Sequence, residues 1–202
     1  MIAIVDYGMG NIASVRNALS LLDVDPLITS RAEDFAAATH VILPGVGSFA
    51  DGMMELHRRG LTEILAHEVA EKKKPFLGIC LGMQLLGARG QEGGDTEGLG
   101  YISGHVRRLA VDEAHYRVPH IGWDTVTHAN VPLFAGVKAD DFYFVHSYVL
   151  VPDKKDDIIG TCDYGETFAV AVQRENVFGV QFHPEKSQKG GLQLLKNFVT
   201  LC

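Results

Sequence analysis

The stretch KKKPFLGICLGMQLL, residues 72–86, decides the fold. Pro75 stops the helix before it, and FLGIC, residues 76–80, is a short unbroken apolar run. Such a run reads as a strand buried on both faces. Residues 81–88 then read as helix. Strand, tight turn and helix in succession are the unit of a sheet wound with helices. Working outward toward the N-terminus, the unit recurs. IAIV, residues 2–5, ends at Asp6 and the glycine-rich turn YGMGN, residues 7–11. Asn11 is placed to cap a helix whose Ile12, Val15, Ala18, Leu19 and Leu22 share one face. Residues 25–29 read as a second strand. HVILP, residues 40–44, reads as a third, closed by the turn GVG. Helical stretches follow at about 48–58 and 61–73, divided at Gly60. Lys72, Lys73 and Lys74 read as a solvated helix end, where cations suit the dipole. This rhythm predicts a parallel sheet covered on both faces.

The second half changes character. Residues 90–100 read as a glycine-rich loop. Short runs of strand composition follow at 105–111, 123–127, 142–150, 158–162, 168–174 and 177–182. Glu175 and Asn176 between the last two predict a hairpin. Residues 188–200 close the chain as a helix, with Leu192, Leu195, Phe198 and Val199 inward and Ser187 as its cap. The expectation is a single domain over residues 1–202. It is α/β and three-layered, with a central mixed, mostly parallel sheet and helices on both faces.

Composition narrows the function. Hydrophobic residues make up 47% of the 202 and charged residues 21%, which argues against a disordered chain. Eighteen basic against 25 acidic residues give a net charge of −7, the wrong sign for a general nucleic-acid or membrane-surface binder. No apolar run is long enough to span a bilayer, and the N-terminus lacks a basic region before a long apolar one. Cys80, Cys162 and Cys202 cannot all pair and have no zinc-ligand spacing. Free thiols in the cytoplasm are the simplest reading. Neither a dinucleotide fingerprint nor a phosphate loop occurs, so no cofactor and no metal is expected.

Three patterns carry chemistry. Gly78-Ile79-Cys80-Leu81-Gly82 has the form of a nucleophile elbow, with Cys where many hydrolases carry Ser. The bend needs small neighbours, and it sets the sulfur at a helix N-terminus, where thiolate is favoured. In QFHPEK, residues 181–186, His183 and Glu185 lie two apart at the end of an apolar strand. Both side chains can then face one way, with Glu185 fixing the His183 tautomer. In PGVGSF, residues 44–49, glycines can turn backbone N–H groups toward an oxyanion. Each has a plainer reading alone: a buried structural Cys, a strand-end His, an ordinary turn. Elbow and His-Pro-Glu together describe a Cys–His–Glu triad.

GICLGMQLL with FHPE downstream resembles the class I, triad-type glutamine amidotransferases. DYGMGN (6–11), LPGVGSF (43–49), PHIGWD (119–124), YFVHSY (143–148), GVQFHPEKS (179–187) and LLKNF (194–198) narrow the resemblance. Together they are similar to the glutaminase subunits of imidazole glycerol phosphate synthases, over nearly the whole chain. The resemblance implies a flavodoxin-like fold. It makes Cys80 the nucleophile, His183 the base and acid, and Glu185 its orienter. The backbone N–H groups of Leu81 and Val46 become the oxyanion hole. Gly47, Gln84, Glu92 and the backbone of Ser147 and Tyr148 become the glutamine site. It also implies a partner, a (βα)8-barrel cyclase that takes up the ammonia, faced or gated by Lys186, Asn11 and Trp123. Length points the same way, since one glutaminase fold uses all 202 residues and leaves none for an ammonia-consuming domain. Three other readings stay open on the residues: a glutaminase of another class I system, a cysteine peptidase or γ-glutamyl hydrolase, and a non-catalytic scaffold.

Overall fold

Runs of apolar residues with no polar interruption have to be covered on both faces, and the first half of the chain is built from them. In the computed structural model, which describes residues 1–138 and 140–202, β1 (Ile2–Val5) is buried at every position. After it come α1 (Ile12–Ser20), β2 (Leu27–Thr29), α2 (Ala32–Ala37) and β3 (His40–Gly45). Then follow α3 (Phe49–Arg58), α4 (Leu61–Leu65), β4 (Phe76–Cys80) and α5 (Leu81–Gln84). Short strands β5 (Arg89–Gly90) and β6 (Thr96–Glu97) precede β7 (Gly104–Arg108), β8 (His120–Thr125) and β9 (Thr127–His128). The chain continues through β10 (Asp141–His146), β11 (Tyr148–Pro152), β12 (Ile158–Asp163), β13 (Thr167–Arg174) and β14 (Val177–Val180), and ends in α6 (Gln188–Leu201).

The large sheet has the order β2-β1-β3-β4-β14-β13-β12-β9. Its first five strands are parallel and the rest antiparallel. Arg174 pairs with Val177 across the Glu175-Asn176 turn, and Glu175 takes a left-handed φ of 52°. The core lies on both faces of this sheet, one side around Phe142, Phe144, Phe182 and Phe198, the other around Phe35, Phe49 and Phe76. Among the described residues no helix is long and apolar enough to cross a membrane.

Several expectations change. The strand-rich half does not simply extend one sheet. β10 pairs with β8 as a separate two-stranded ribbon, and β11-β7-β5-β6 form a third sheet. The expected strand 142–150 is therefore two strands, broken at Ser147, each serving a different sheet. The loop at 90–100 carries the small strands β5 and β6, and α2 was not foreseen. The helix expected over 61–73 is α-helical only to Leu65 and widens into a π turn over Ala66–Glu71. The one expected over 81–88 stops at Gln84. Lys74 is not solvated. It pairs with buried Glu68 at 2.7 Å and donates to the carbonyls of Phe35 and Ala36, tying the end of that turn to α2. Asn11 and Ser187 stand at the N-cap positions of α1 and α6 without capping through the side chain. The Asn11 amide oxygen instead accepts from the Ser14 hydroxyl at 2.8 Å.

Candidate active site

Strand order sets the site. β3, β4 and β14 are neighbours and parallel, so their C-terminal ends lie side by side, with Gly45 opposite Cys80 and Val180 opposite Ile79. Ligands of open α/β sheets bind at this end. The PGVG turn emerges on one side of Cys80 and the QFHPE segment on the other.

Cys80 ends β4 and starts α5 with φ 55° and ψ −111°. A non-glycine residue there costs about 1–3 kcal/mol and persists only where its surroundings enforce it. The enforcing contacts are visible at the flanking glycines. A Cβ on Gly82 would sit 1.9 Å from the Leu43 carbonyl oxygen, and one on Gly78 would sit 2.4 Å from the Gly82 carbonyl oxygen. Neither neighbour is a flexible side chain. Gly82→Ala is therefore expected to destabilise the fold by about 2–3 kcal/mol. That corresponds to a calorimetric midpoint roughly 5–10 °C lower, and an unchanged midpoint would show that the elbow relaxes freely.

His183 and Glu185 meet, though not as a strand would bring them together. β14 ends at Val180, and Pro184–Lys186 form a single 3-10 turn. That turn brings the Glu185 carboxylate to 2.9 Å from His183 Nδ1. It is held from behind. The Ser187 hydroxyl donates to the His183 carbonyl at 2.6 Å and accepts from the Tyr143 N–H at 3.0 Å, while the His183 N–H donates to the Tyr143 carbonyl. α6 approaches so closely that a Cβ on Gly191 would overlap the Pro184 carbonyl. Both side chains are almost fully buried, His183 at 4% exposure and Glu185 at 1%.

The Nδ1 proton thus goes to Glu185, leaving Nε2 for Cys80. Burial works against a charged His183 ring, but the neighbouring Cys80 sulfur and the bonded Glu185 carboxylate outweigh it and raise the ring to about 9. A group raised in the folded state stabilises the fold below its unfolded value near 6.5. That contribution is lost as pH climbs from there through about 9.

A pocket of about 270 Å³ opens over Cys80. Val46, Gly47, Leu81, Gln84, Glu92, Ser147, Tyr148, His183 and Lys186 all line it. The Gln84 amide NH₂ donates to the Tyr148 carbonyl at 2.9 Å and to Gln181 Oε1 at 3.1 Å, so its own oxygen is the group left for a ligand. Glu92 Oε2 accepts from the Phe49 N–H at 2.9 Å. Burial raises its carboxyl above the usual range, and Asp51 adds to this against that hydrogen bond. Asn11 and Trp123 do not line the pocket. Trp123 is 46% exposed on β8 and meets Tyr143 edge-on, and Lys186 Nζ lies 5.7 Å from the centre of the Tyr143 ring.

Sequence reasoning missed Gln181 and Tyr143. Gln181 is fully buried, and its amide donates toward Cys80 Sγ at 3.8 Å while its oxygen accepts from Gln84. It stands two residues before His183, inside the quoted QFHPEK stretch. Tyr143 lay inside a quoted block without an assigned role.

The family description "Glutamine amidotransferase class-I" matches residues 3–202. The chain is 50% identical to the imidazole glycerol phosphate synthase subunit HisH of Moorella thermoacetica, over 98% of this chain and 93% of that one. It is 48% identical to HisH 2 of Pseudomonas aeruginosa over the full length of both. Among solved structures, a glutamine amidotransferase superposes with TM-score 0.76 at 17% identity, covering 98% of this chain and 96% of that one. A chain of PurLQS from Thermotoga maritima superposes with TM-score 0.75 at 18% identity and the same coverage. These two likenesses establish the fold. With a strained Cys at the elbow, a buried His–Glu pair beside it and near full-length relatives of one kind, the chain belongs to the class I glutamine amidotransferases and, within them, to the HisH family.

Proposed function

We propose that residues 1–202 act as one glutaminase domain in which Cys80, His183 and Glu185 form the catalytic triad. The chain is the glutamine amidotransferase subunit of an imidazole glycerol phosphate synthase and serves histidine biosynthesis. The observation that carries the triad is the strained Cys80 sharing one pocket with a His183 ring that is itself bonded to a buried carboxylate.

An amide resists hydrolysis because its carbonyl is a weak electrophile and its nitrogen a poor leaving group. Covalent catalysis splits the task. His183 Nε2 takes the Cys80 thiol proton as the sulfur attacks the side-chain carbonyl carbon of glutamine. The oxygen of the tetrahedral species takes the negative charge and turns to the N–H groups of Leu81 and Val46. Collapse breaks the C–N bond while His183 delivers a proton to the nitrogen, so ammonia leaves rather than amide anion. Water then attacks the thioester carbonyl, and His183 takes up its proton. Glutamate departs, and the thiol is restored. Glu185 holds the imidazole in the one tautomer that serves both steps. The Gln84 oxygen and Glu92 suit the ammonium of the bound amino acid, and the backbone at Ser147 and Tyr148 suits its carboxylate.

The ammonia needs a consumer, and we assign that role to a (βα)8-barrel cyclase. Its products are imidazole glycerol phosphate and an aminoimidazole carboxamide ribotide. The setting is the cytoplasm. Lys186, Asn11 and Trp123 are assigned to the partner side, and PGVG to the switch. Gly47 has φ 109°, a conformation open to glycine, and such a turn can rotate a peptide until its N–H faces the oxyanion. Without the cyclase and its nucleotide ligand the chain is expected to turn over glutamine at least 100-fold more slowly than with them, because a missing oxyanion donor costs roughly 100- to 1000-fold. High unstimulated turnover would defeat this latency. Lys186→Ala should fold normally and either weaken the coupling or leak ammonia to solvent. Unaltered coupling would remove Lys186 from the interface.

A further inference from the structure

Two buried histidines stand outside the triad, and one of them, His146, lines the pocket. His146 ends β10, His120 begins β8, and the two pair directly across that ribbon. They are 5% and 1% exposed. His146 Nδ1 lies 3.0 Å from the Tyr148 carbonyl oxygen, and its Nε2 lies 3.1 Å from His120 Nδ1. His120 Nε2 lies 3.0 Å from Asp124 Oδ2. Asp124 is part-exposed, so a continuous chain of polar groups runs from the surface to the bend at Ser147. The same bend is fixed twice more, since the Ser147 carbonyl accepts from the Leu109 N–H at 2.9 Å and the Tyr148 carbonyl also accepts from Gln84.

Hydrogens can be counted along this chain. The Tyr148 carbonyl and the Asp124 carboxylate only accept. His146 Nδ1 and His120 Nε2 must therefore both carry hydrogen to make the two outer bonds. The contact between the rings needs a third N–H, yet two neutral imidazoles supply only two. Burial opposes a charged ring. It drives His146 down to about 3, with His120 and His183 pushing the same way, and it lowers His120 against the pull of Asp124. With both rings neutral the chain is one hydrogen short. An amide in place of the Asp124 carboxylate can donate to His120 Nε2 and complete every bond without a charge.

We propose that His120 and His146 are positioning residues that fix the Ser147–Tyr148 bend for binding of the substrate's α-carboxylate. The inference rests on the assignment of that bend to glutamine under Proposed function. It places the effect on binding and not on the chemical steps, because neither histidine contacts Cys80, His183 or Glu185 through a hydrogen bond.

The test uses the complex with the cyclase and its nucleotide ligand, and reads glutamine KM, kcat and thermal midpoint. The variants are His120→Phe, Asp124→Ala and Asp124→Asn. Phenylalanine keeps the ring stacked between Phe144 at 4.8 Å and Tyr164 at 4.0 Å and removes both hydrogen bonds. His120→Phe should raise KM about 3- to 10-fold, the effect of one neutral hydrogen bond, with kcat within about twofold. Asp124→Ala frees His120 to carry its hydrogen on Nδ1 and donate to His146, so it should leave KM within about twofold of the wild type. Asp124→Asn should keep the wild-type KM. Unchanged KM in His120→Phe overturns the proposal, as does a fall in kcat at constant KM, or an Asp124→Ala variant that raises KM as much as His120→Phe does. If His120→Phe fails to fold, His120→Gln decides in its place: it keeps a polar end for Asp124 but loses the Nδ1 position, so it should raise KM in the same way, and an unchanged KM in it overturns the proposal. A wild-type complex without glutaminase activity would overturn the assigned reaction and this inference with it. Wild-type activity with an unaffected His120 variant overturns the inference only.

Discussion

Cys80→Ala is expected to abolish glutamine hydrolysis, by roughly a million-fold, and to leave synthesis from free ammonia intact in the complex. The size follows from the role, since removing the nucleophile of a triad costs about as much as removing the whole triad. Selectivity follows from the environment of the other thiols. Burial pushes Cys162 up to about 12, with Asp124 and Asp163 adding to it, and pushes Cys202 up to about 11. Neither forms thiolate near neutral pH, and neither is assigned a base. A glutamine-like electrophile should therefore label Cys80 alone, and replacing Cys162 or Cys202 should cost little activity. Ammonia rescue separates chemistry from architecture. Cys80 holds a strained conformation at the elbow, and alanine there keeps the Cβ while losing only the sulfur. A variant that loses the ammonia-dependent reaction as well would show that Cys80 matters to the fold or to the interface with the cyclase.

The elbow was legible because its requirement is local. Gly78 and Gly82 are needed for clearances of a few ångströms from residues close in sequence or in the adjoining strand, and two glycines around a cysteine after an apolar run record that need directly. The parallel strands were legible for a similar reason, since burial on both faces writes an unbroken apolar run. The antiparallel half was harder. Residues 142–150 are apolar almost throughout, yet they serve two sheets, and only the His146–Tyr148 bend between them marks the change. Nothing periodic announces such a break. Lys74 shows the opposite failure. Three consecutive lysines read as solvent-facing, but the widening of the helix into a π turn swings Lys74 onto Glu68 and the end of α2. The His183–Glu185 pair was placed correctly in space for an incomplete reason. A spacing of two suits a strand, whereas here it suits a 3-10 turn closed by Ser187.

That turn bears on how unequal the two triad partners of Cys80 should be. His183→Ala removes the proton carrier of both half-reactions, and a loss on the order of a million-fold is expected, as in other triads. Glu185→Gln removes less. Its Oε1 position still accepts from His183 Nδ1 if the amide oxygen faces the ring, and the nitrogen then occupies the Oε2 position, which has no protein partner. The geometry survives in that orientation, but the negative charge that supports the imidazolium is gone. In the flipped orientation the amide donates to Nδ1 and enforces the wrong tautomer. A loss of roughly 10⁴-fold is expected, so Glu185→Gln should retain about 100 times the activity of His183→Ala. The pH response supplies an independent reading. Glu185 is one of the two groups holding His183 near 9, so its neutralisation should lower the ring's titration toward ordinary values, measurable by NMR of the imidazole. The variant should also lose part of the stability that the wild type holds below pH about 6.5 and gives up as pH rises toward 9. Equal and complete inactivation of a folded Glu185→Gln protein, with an unshifted His183, would remove Glu185 from the orienting role and leave Cys80 and His183 as a dyad.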